Sequence, residues 1–129
     1  HRDDPLAQYD VLTPELLGDT PIIPIGPYHM THRRLREAFA DAGIPMRTRV
    51  HSHLFKNLLS FVKEGMGVSL LDPFVLEHDF DPRFVSRAFE PAINMDMAVI
   101  TSATRPLSQT AKDFLELLLK ELEPYQTPS

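Results

Sequence analysis

Apolar residues in this chain follow two patterns in turn: short unbroken runs, and stretches with three- and four-residue spacing. The two alternate most clearly over residues 46–74. Residues 47–50 are short and β-branched enough for a strand. Phe55, Leu58, Leu59 and Val62 then recur at helical spacing, with Leu54 and Phe61 widening the stripe. Ser52 stands where a helix N-cap is expected, and Gly65 where a left-handed residue usually ends a helix. Residues 67–71 read as a buried strand, ended by Asp72 and Pro73. The whole stretch predicts one strand–helix–strand crossover.

The same reading extends along the chain. Residues 1–12 are expected to be extended, with a turn at Asp4-Pro5. Thr13 caps a short helical turn with Pro14 at its first position and Gly18 at its end. Residues 21–25 predict a strand, and Pro24 within it argues for an edge. Residues 26–29 form a loop, and a helix follows from Met30 or Thr31 to about Ala42. Leu35, Ala38, Phe39 and Ala42 share one face of it, and Arg33, Arg34, Arg36 and Asp41 fall mostly on the other. Residues 73–79 predict a short helix and 80–82 a turn, with strands at 84–89 and 94–101. Ser108 caps a last helix over 109–123, striped by Ala111, Phe114, Leu115, Leu118 and Leu122, and a frayed tail follows at 124–129. This order predicts an α/β fold with a mostly parallel sheet flanked by helices. The late strand pair, with no helix between its members, allows an antiparallel strand in that sheet. The predicted core is Leu35, Phe39, Leu58, Val62, Val68, Leu70, Phe114 and Leu118.

Composition narrows the function classes. The chain has 129 residues, 43% hydrophobic and 24% charged, which suits one globular domain or a piece of one. It opens on His1-Arg2-Asp3-Asp4-Pro5, without Met or a first strand, as expected of a piece of a longer protein. A net charge of −5 argues against a general nucleic-acid surface on this chain. No apolar run approaches the roughly 20 residues a membrane span needs. The absence of Cys excludes disulfides and thiolate chemistry, and it fits a reducing cytoplasm.

Enzyme signatures are missing. There is no GxSxG elbow, no GxxxxGK[ST] or GxGxxG loop and no HExxH. Ser69 falls inside a strand. Gly65-Met66-Gly67 joins a helix end to a strand, the wrong order for a dinucleotide fingerprint. His29, His32, His51 and His53 invite a metal, but no carboxylate stands at a diagnostic spacing from them. His29 and His32 read instead as exposed loop and cap residues, and Arg33, Arg34 and Arg36 as a solvated helix face. Asp3, Asp4, Asp79 and Asp81 are loop carboxylates without a visible partner.

Three helix N-termini remain, each after a strand. In a parallel sheet such ends collect on one edge, where free N–H groups favour an anion. The expected binding residues are therefore the loop Gly26, Pro27, Tyr28 and His29, the corner His51, Ser52 and His53, and the turn Asp72, Pro73 and Phe74. Ser52 is the sharpest of these.

Several segments also resemble a known family. Residues 62–73, VKEGMGVSLLDP, resemble the VxxGxGIxxLP signature in the effector-binding domain of LysR-type transcriptional regulators. Asp4-Pro5-Leu6-Ala7 resembles that family's HPLA segment, residues 13–17 match the turn that follows it, and residues 107–115 match its closing LSPAARAFLDFL helix. Residues 71–74 are similar to the branch that answers to lysine and to opines. Met66 and Asp72 depart from the usual signature.

The resemblance implies a periplasmic-binding-protein-like (type II) pair of α/β subdomains with an effector between them. Residues 13–93, approximately, would be the second subdomain, and about 94–123 the return strand and closing helix of the first. The DNA-binding winged helix-turn-helix and the first part of subdomain one would lie outside this chain. The implied protein is cytoplasmic and homo-oligomeric (a dimer or tetramer). It is not an enzyme, needs no cofactor or metal, meets DNA only through the missing domain, and responds to a small anionic or zwitterionic metabolite. A solute-binding protein of the same fold class is the alternative reading, and a His-based metal enzyme a remote one.

Overall fold

The computed structural model of the chain describes residues 1–77, 81–95 and 98–125, without the side chains of Pro73 and Glu77. The chain divides into two units, His1–Ile93 and Asn94–Ser129.

The first unit is built on three short parallel segments. The central one, 21–26, pairs on one side through Ile22 with Thr48 and through Ile25 with Ser52. On its other side Ile22 pairs with Val68. Ile22 N–H donates to the Arg47 carbonyl and Gly26 N–H to that of Ser52, while Ile23 N–H donates to Val68. Pro24 falls between the Ile22 and Gly26 bonds, where the ladder skips a donor. Its place is thus in the middle of the three segments and not on an edge. The bond lost to the ring is tolerated because its neighbours supply the pairing.

The pleat sends alternate residues of the central segment to opposite layers. Ile22 packs with Leu17, Leu35 and Phe39. Ile23 and Ile25 pack with Leu58 on the other side. Helix α2 (Met30–Asp41) covers the first face and α3 (Phe55–Lys63) the second. Cover on both faces is why 21–25 is an unbroken apolar run.

Helix ends follow local signals. In α3 the Gly65 N–H donates to Val62 and the Met66 N–H to Phe61, a Schellman closure. Gly65 supplies the positive φ of 66° it needs. Met66 and Phe61 then pack in the same cluster. Helix α2 ends the same way, with Gly43 N–H to Ala40 and Ile44 N–H to Phe39. Gly67 has a different task. A Cβ there would collide with the Pro21 carbonyl, so only glycine lets the third segment close on the central one.

The remaining pieces frame this core. Asp4 caps a 3₁₀ turn, Pro5–Gln8, where an extended chain was expected. Strand β1 (Val11–Leu12) leads into α1 (Pro14–Leu17), where the Thr13 hydroxyl accepts from Leu16 N–H. Helix α4 (Pro73–Glu77) follows the third segment, and strand β2 (Ala88–Phe89) pairs with β1 in parallel. The strand expected at 84–89 is thus only two residues long. No antiparallel pair occurs among the described residues, where β2 pairs with β1 in parallel. The three expected core strands also contract to isolated bridges, because Pro21, Pro24 and Gly67 interrupt their ladders. The rest of the 73–79 helix and of the 80–82 turn falls outside the described residues, apart from 81–82.

Of the predicted core, Leu35, Phe39 and Leu58 are buried. Val62, Val68 and Leu70 are half-buried. Leu54 is exposed and precedes α3 instead of belonging to its stripe.

The second unit carries helix α5 (Gln109–Leu122). The Ser108 hydroxyl accepts from Ala111 N–H at 3.2 Å, as expected of its cap. Phe114 was expected in the core, yet it is 66% exposed, and Leu118 is half-buried. The stripe has helical spacing, but no described strand or long helix of this unit covers it. No strand occurs at 94–95 or 98–101; Asp96 and Met97 lie outside the described residues, as does the 126–129 part of the tail.

Candidate functional site

Parallel pairing puts the C-terminal ends of the three segments on one edge of the first unit. Each then leads toward a helix. The central segment runs through the 26–29 loop into α2, the second through His51–His53 (residues 51–53) into α3, and the third through Asp72 into α4. This is the edge at which open α/β sheets present ligand sites.

Each junction is shaped by a local bond. His29 Nδ1 accepts from Thr31 N–H at 3.3 Å and caps α2. That nitrogen therefore carries no proton, and Nε2 is the free donor. Asp72 Oδ1 accepts from Val75 N–H at 3.1 Å, so the acidic departure from the family signature serves as a cap for α4. Ser52 does not cap α3. Its Oγ accepts from Leu54 N–H at 3.2 Å, one residue upstream of the first helical residue. Leu54 is the N-cap residue and offers no side-chain acceptor. The chain needs residues 53–54 to turn from the bridge at Ser52 into the helix, which displaces the cap. The first turn of α3 is left with N–H groups that no side chain among the described residues satisfies.

The corner is tightly built around Gly26. A Cβ on Gly26 would lie 2.5 Å from His53 Nδ1, so the His53 ring rests on the loop backbone. His51 and His53 stand edge to face, their ring centroids 6.1 Å apart. His29 stands edge-on to Phe55, the first residue of α3, at 6.4 Å. Gly26, His29, His51, Ser52 and His53 are thus neighbours across two junctions. Phe55 joins them; its apolar spacing had assigned it to the core alone.

The other expected residues divide. Pro27 and Tyr28 line an open hollow of about 640 Å³ against the outer face of α2, away from the imidazole corner. Tyr28 is 98% exposed. Asp72 and Phe74 stand at the third junction, where Asp72 caps α4. Pro73 opens α4, and its side chain lies outside the described residues. His32 and Arg36 also line the hollow. They are missing from the expected site, yet Tyr28, His32, Arg36 and Ala40 repeat at four-residue intervals, a spacing that marks one face.

Catalytic and metal constellations are not assembled among the described residues. No three His, Asp or Glu residues are placed to hold a metal. The Ser69 hydroxyl donates to the Ile23 carbonyl at 2.8 Å and braces two segments. Away from the edge, Asp81 accepts from Arg83 at 2.8 Å and pairs with Lys63 at 3.2 Å. The Arg83 bonds, helped by Lys63, hold the Asp81 carboxyl well below the usual carboxylate range. Asp81 thus has the partners its sequence context did not reveal.

A family model described as the LysR substrate binding domain matches residues 1–123. The chain belongs to the LysR substrate-binding domain family. Its fold is that family's periplasmic-binding-protein-like type II α/β fold, and the parallel pairing above is part of it. A LysR domain of this kind binds a ligand and is not an enzyme. The chain is also similar to two curated relatives named Regulatory protein NocR, from Agrobacterium tumefaciens and Agrobacterium fabrum. Each is 27% identical over 115 residues, which cover 88% of this chain and 38% of the relative. The LysR domain described here therefore spans well under half the length of those relatives. No helix among the described residues is long and apolar enough to cross a membrane.

Proposed function

We propose that this LysR domain is the effector-sensing part of a longer transcriptional regulator, responding to a small anionic or zwitterionic metabolite such as an amino acid or an opine. The observation that carries this reading is the uncapped first turn of α3 beside Ser52, His51 and His53 on the shared segment edge. Backbone N–H groups at a helix N-terminus favour a carboxylate, and neighbouring imidazoles add donors. Gly26 and His29 border the same corner, with Asp72, Pro73 and Phe74 at the next junction.

The family and the relatives' printed name, a regulatory protein, support the role in transcription. In this reading residues of about 13–93 form one wall of the effector cleft. Residues of about 94–123 return to the other subdomain, and a DNA-binding segment lies elsewhere in the longer protein. The regulator works in the cytoplasm as a homo-oligomer. Sensing requires only that the effector bind one arrangement of that oligomer better than another.

The test is a calorimetric titration of amino acids, opines and organic acids into the intact regulator and its Ser52→Ala and His51→Ala variants. Loss of a charge-assisted contact at this corner is expected to weaken binding about tenfold while the variants stay folded. Unchanged affinity in both variants removes the corner from the site and leaves the 26–29 loop to carry it.

A further inference from the structure

We propose that His53 is the positioning residue of the effector corner: its ring, seated on the Gly26 backbone, fixes the turn into α3 and so the direction of that helix's free N–H groups. The inference rests on the reading of that corner as the effector site. Residues 53 and 54 carry the chain from the bridge at Ser52 into α3. One backbone bond precedes them, from Gly26 N–H to the Ser52 carbonyl at 2.9 Å. The Ser52 hydroxyl accepts from Leu54 N–H, within the turn itself. Leu54 has no capping side chain and is exposed. The His53 ring is what reaches another segment: a Cβ on Gly26 would stand 2.5 Å from its Nδ1 and 2.7 Å from its Cε1. His51 stands edge to face against the same ring at 6.1 Å.

Gly26 shows that this seat is specific. Its φ lies outside the left-handed region, so its own backbone does not call for glycine. The room that glycine leaves is taken by the His53 ring, and a side chain at 26 would push the ring out. The same loop meets α3 a second time, where His29 stands edge-on to Phe55 at 6.4 Å. His29 and Phe55 thus hold the start of the helix, and the His53 ring holds the approach to it. Direction matters to a backbone donor, because an N–H···O bond weakens steeply as it bends. The ring therefore acts on affinity through its shape, and the donor beside the N–H groups is His51.

The test uses the intact regulator, titrated calorimetrically with L-arginine, L-lysine and their N-carboxyethyl derivatives. Hydrogen exchange is read alongside by mass spectrometry over residues 22–29 and 51–55. Wild type is expected to bind at least one of these compounds and to gain protection over 51–55. His53→Ala should speed exchange over both stretches and weaken binding about tenfold. His53→Phe, which keeps a ring but no donor, should restore both. His53→Gln, which keeps a donor but no ring, should restore neither. Gly26→Ala, whose methyl displaces the ring, should match His53→Ala, and the double variant should be no worse than either, since one seat is lost in all three. Rescue by Gln and not by Phe would overturn the proposal, making His53 a ligand contact and leaving the effector reading intact. Wild-type affinity in Gly26→Ala, or faster exchange with unchanged affinity in His53→Ala, would overturn it as well. Absence of protection over 51–55 in wild type would remove the effector reading and this role together.

Discussion

Helices α3 and α5 carry the same kind of stripe and meet different fates. In α3, Leu58 is fully buried against Ile23 and Ile25. In α5, Phe114 stands 66% exposed on a stripe of equal regularity. Each helix begins close to where its spacing places it; α3 ends at its expected glycine, and α5 ends within one residue of its expected end. The difference is cover. The parallel segments give α3 a surface to lie on, whereas the described residues of 94–125 give α5 none within its own unit. Helical periodicity reports that a face can be buried and does not report what buries it.

The comparison breaks first at Leu58. Leu58→Ala should lower the unfolding free energy of the first unit by ~2–5 kcal/mol, measured by urea denaturation, since both a transfer term and a cavity term are lost. A loss near zero would mean that α3 does not rest on the parallel segments.

An acid titration sharpens it next. The Asp81 carboxyl is held low by Arg83 and Lys63, and it ties the end of α3 to the turn at residues 81–84. A carboxyl depressed in the folded state contributes stability above its unfolded pKa and loses it as pH falls toward the folded value. Hydrogen exchange around Lys63 and Arg83 should therefore speed up below about pH 4, the ordinary Asp range, relative to α5, which has no such clasp. Asp81→Asn should remove that pH dependence. Equal acid sensitivity in both units would show that the clasp contributes nothing specific.

The smallest effect is expected at Phe114. With two-thirds of its surface already in water, Phe114→Ala in this chain should change stability by no more than about 0.5 kcal/mol. A loss as large as that for Leu58→Ala would mean that something covers α5 in solution. The oligomeric state, by sedimentation, would then say whether it is another copy of the chain.

The candidate site was legible in part, for reasons visible at single residues. His29 and Asp72 cap their helices as short polar acceptors before a helical run do. Ser52 has the same signature yet bonds Leu54 N–H outside the helix. Cap propensity acts over three residues, and the bridge between Ser52 and Ile25 decides where that turn begins. Gly26 looked like an ordinary loop glycine; the ring of His53, 27 positions away in sequence, is what makes it necessary. Pro27 and Tyr28 were grouped with Gly26 and His29 because they are adjacent in the chain. The turn into α2 sends them to the other side of the loop.

By itself the sequence determined which stretches are helical, where Gly43 and Gly65 stop them, and the order that makes the pairing parallel. The signature at 62–73 likewise sufficed to point to the LysR family. These are local properties, written in neighbouring residues and the single turns they close. Tertiary structure alone decided that Pro24 sits in the middle segment, that Leu58 is covered while Phe114 is not, and that His53 rests on Gly26. Those outcomes depend on contacts between residues tens of positions apart. Such contacts form only when the whole layer assembles, because the free energy of burying a face belongs to both surfaces that meet and not to the stripe on one of them.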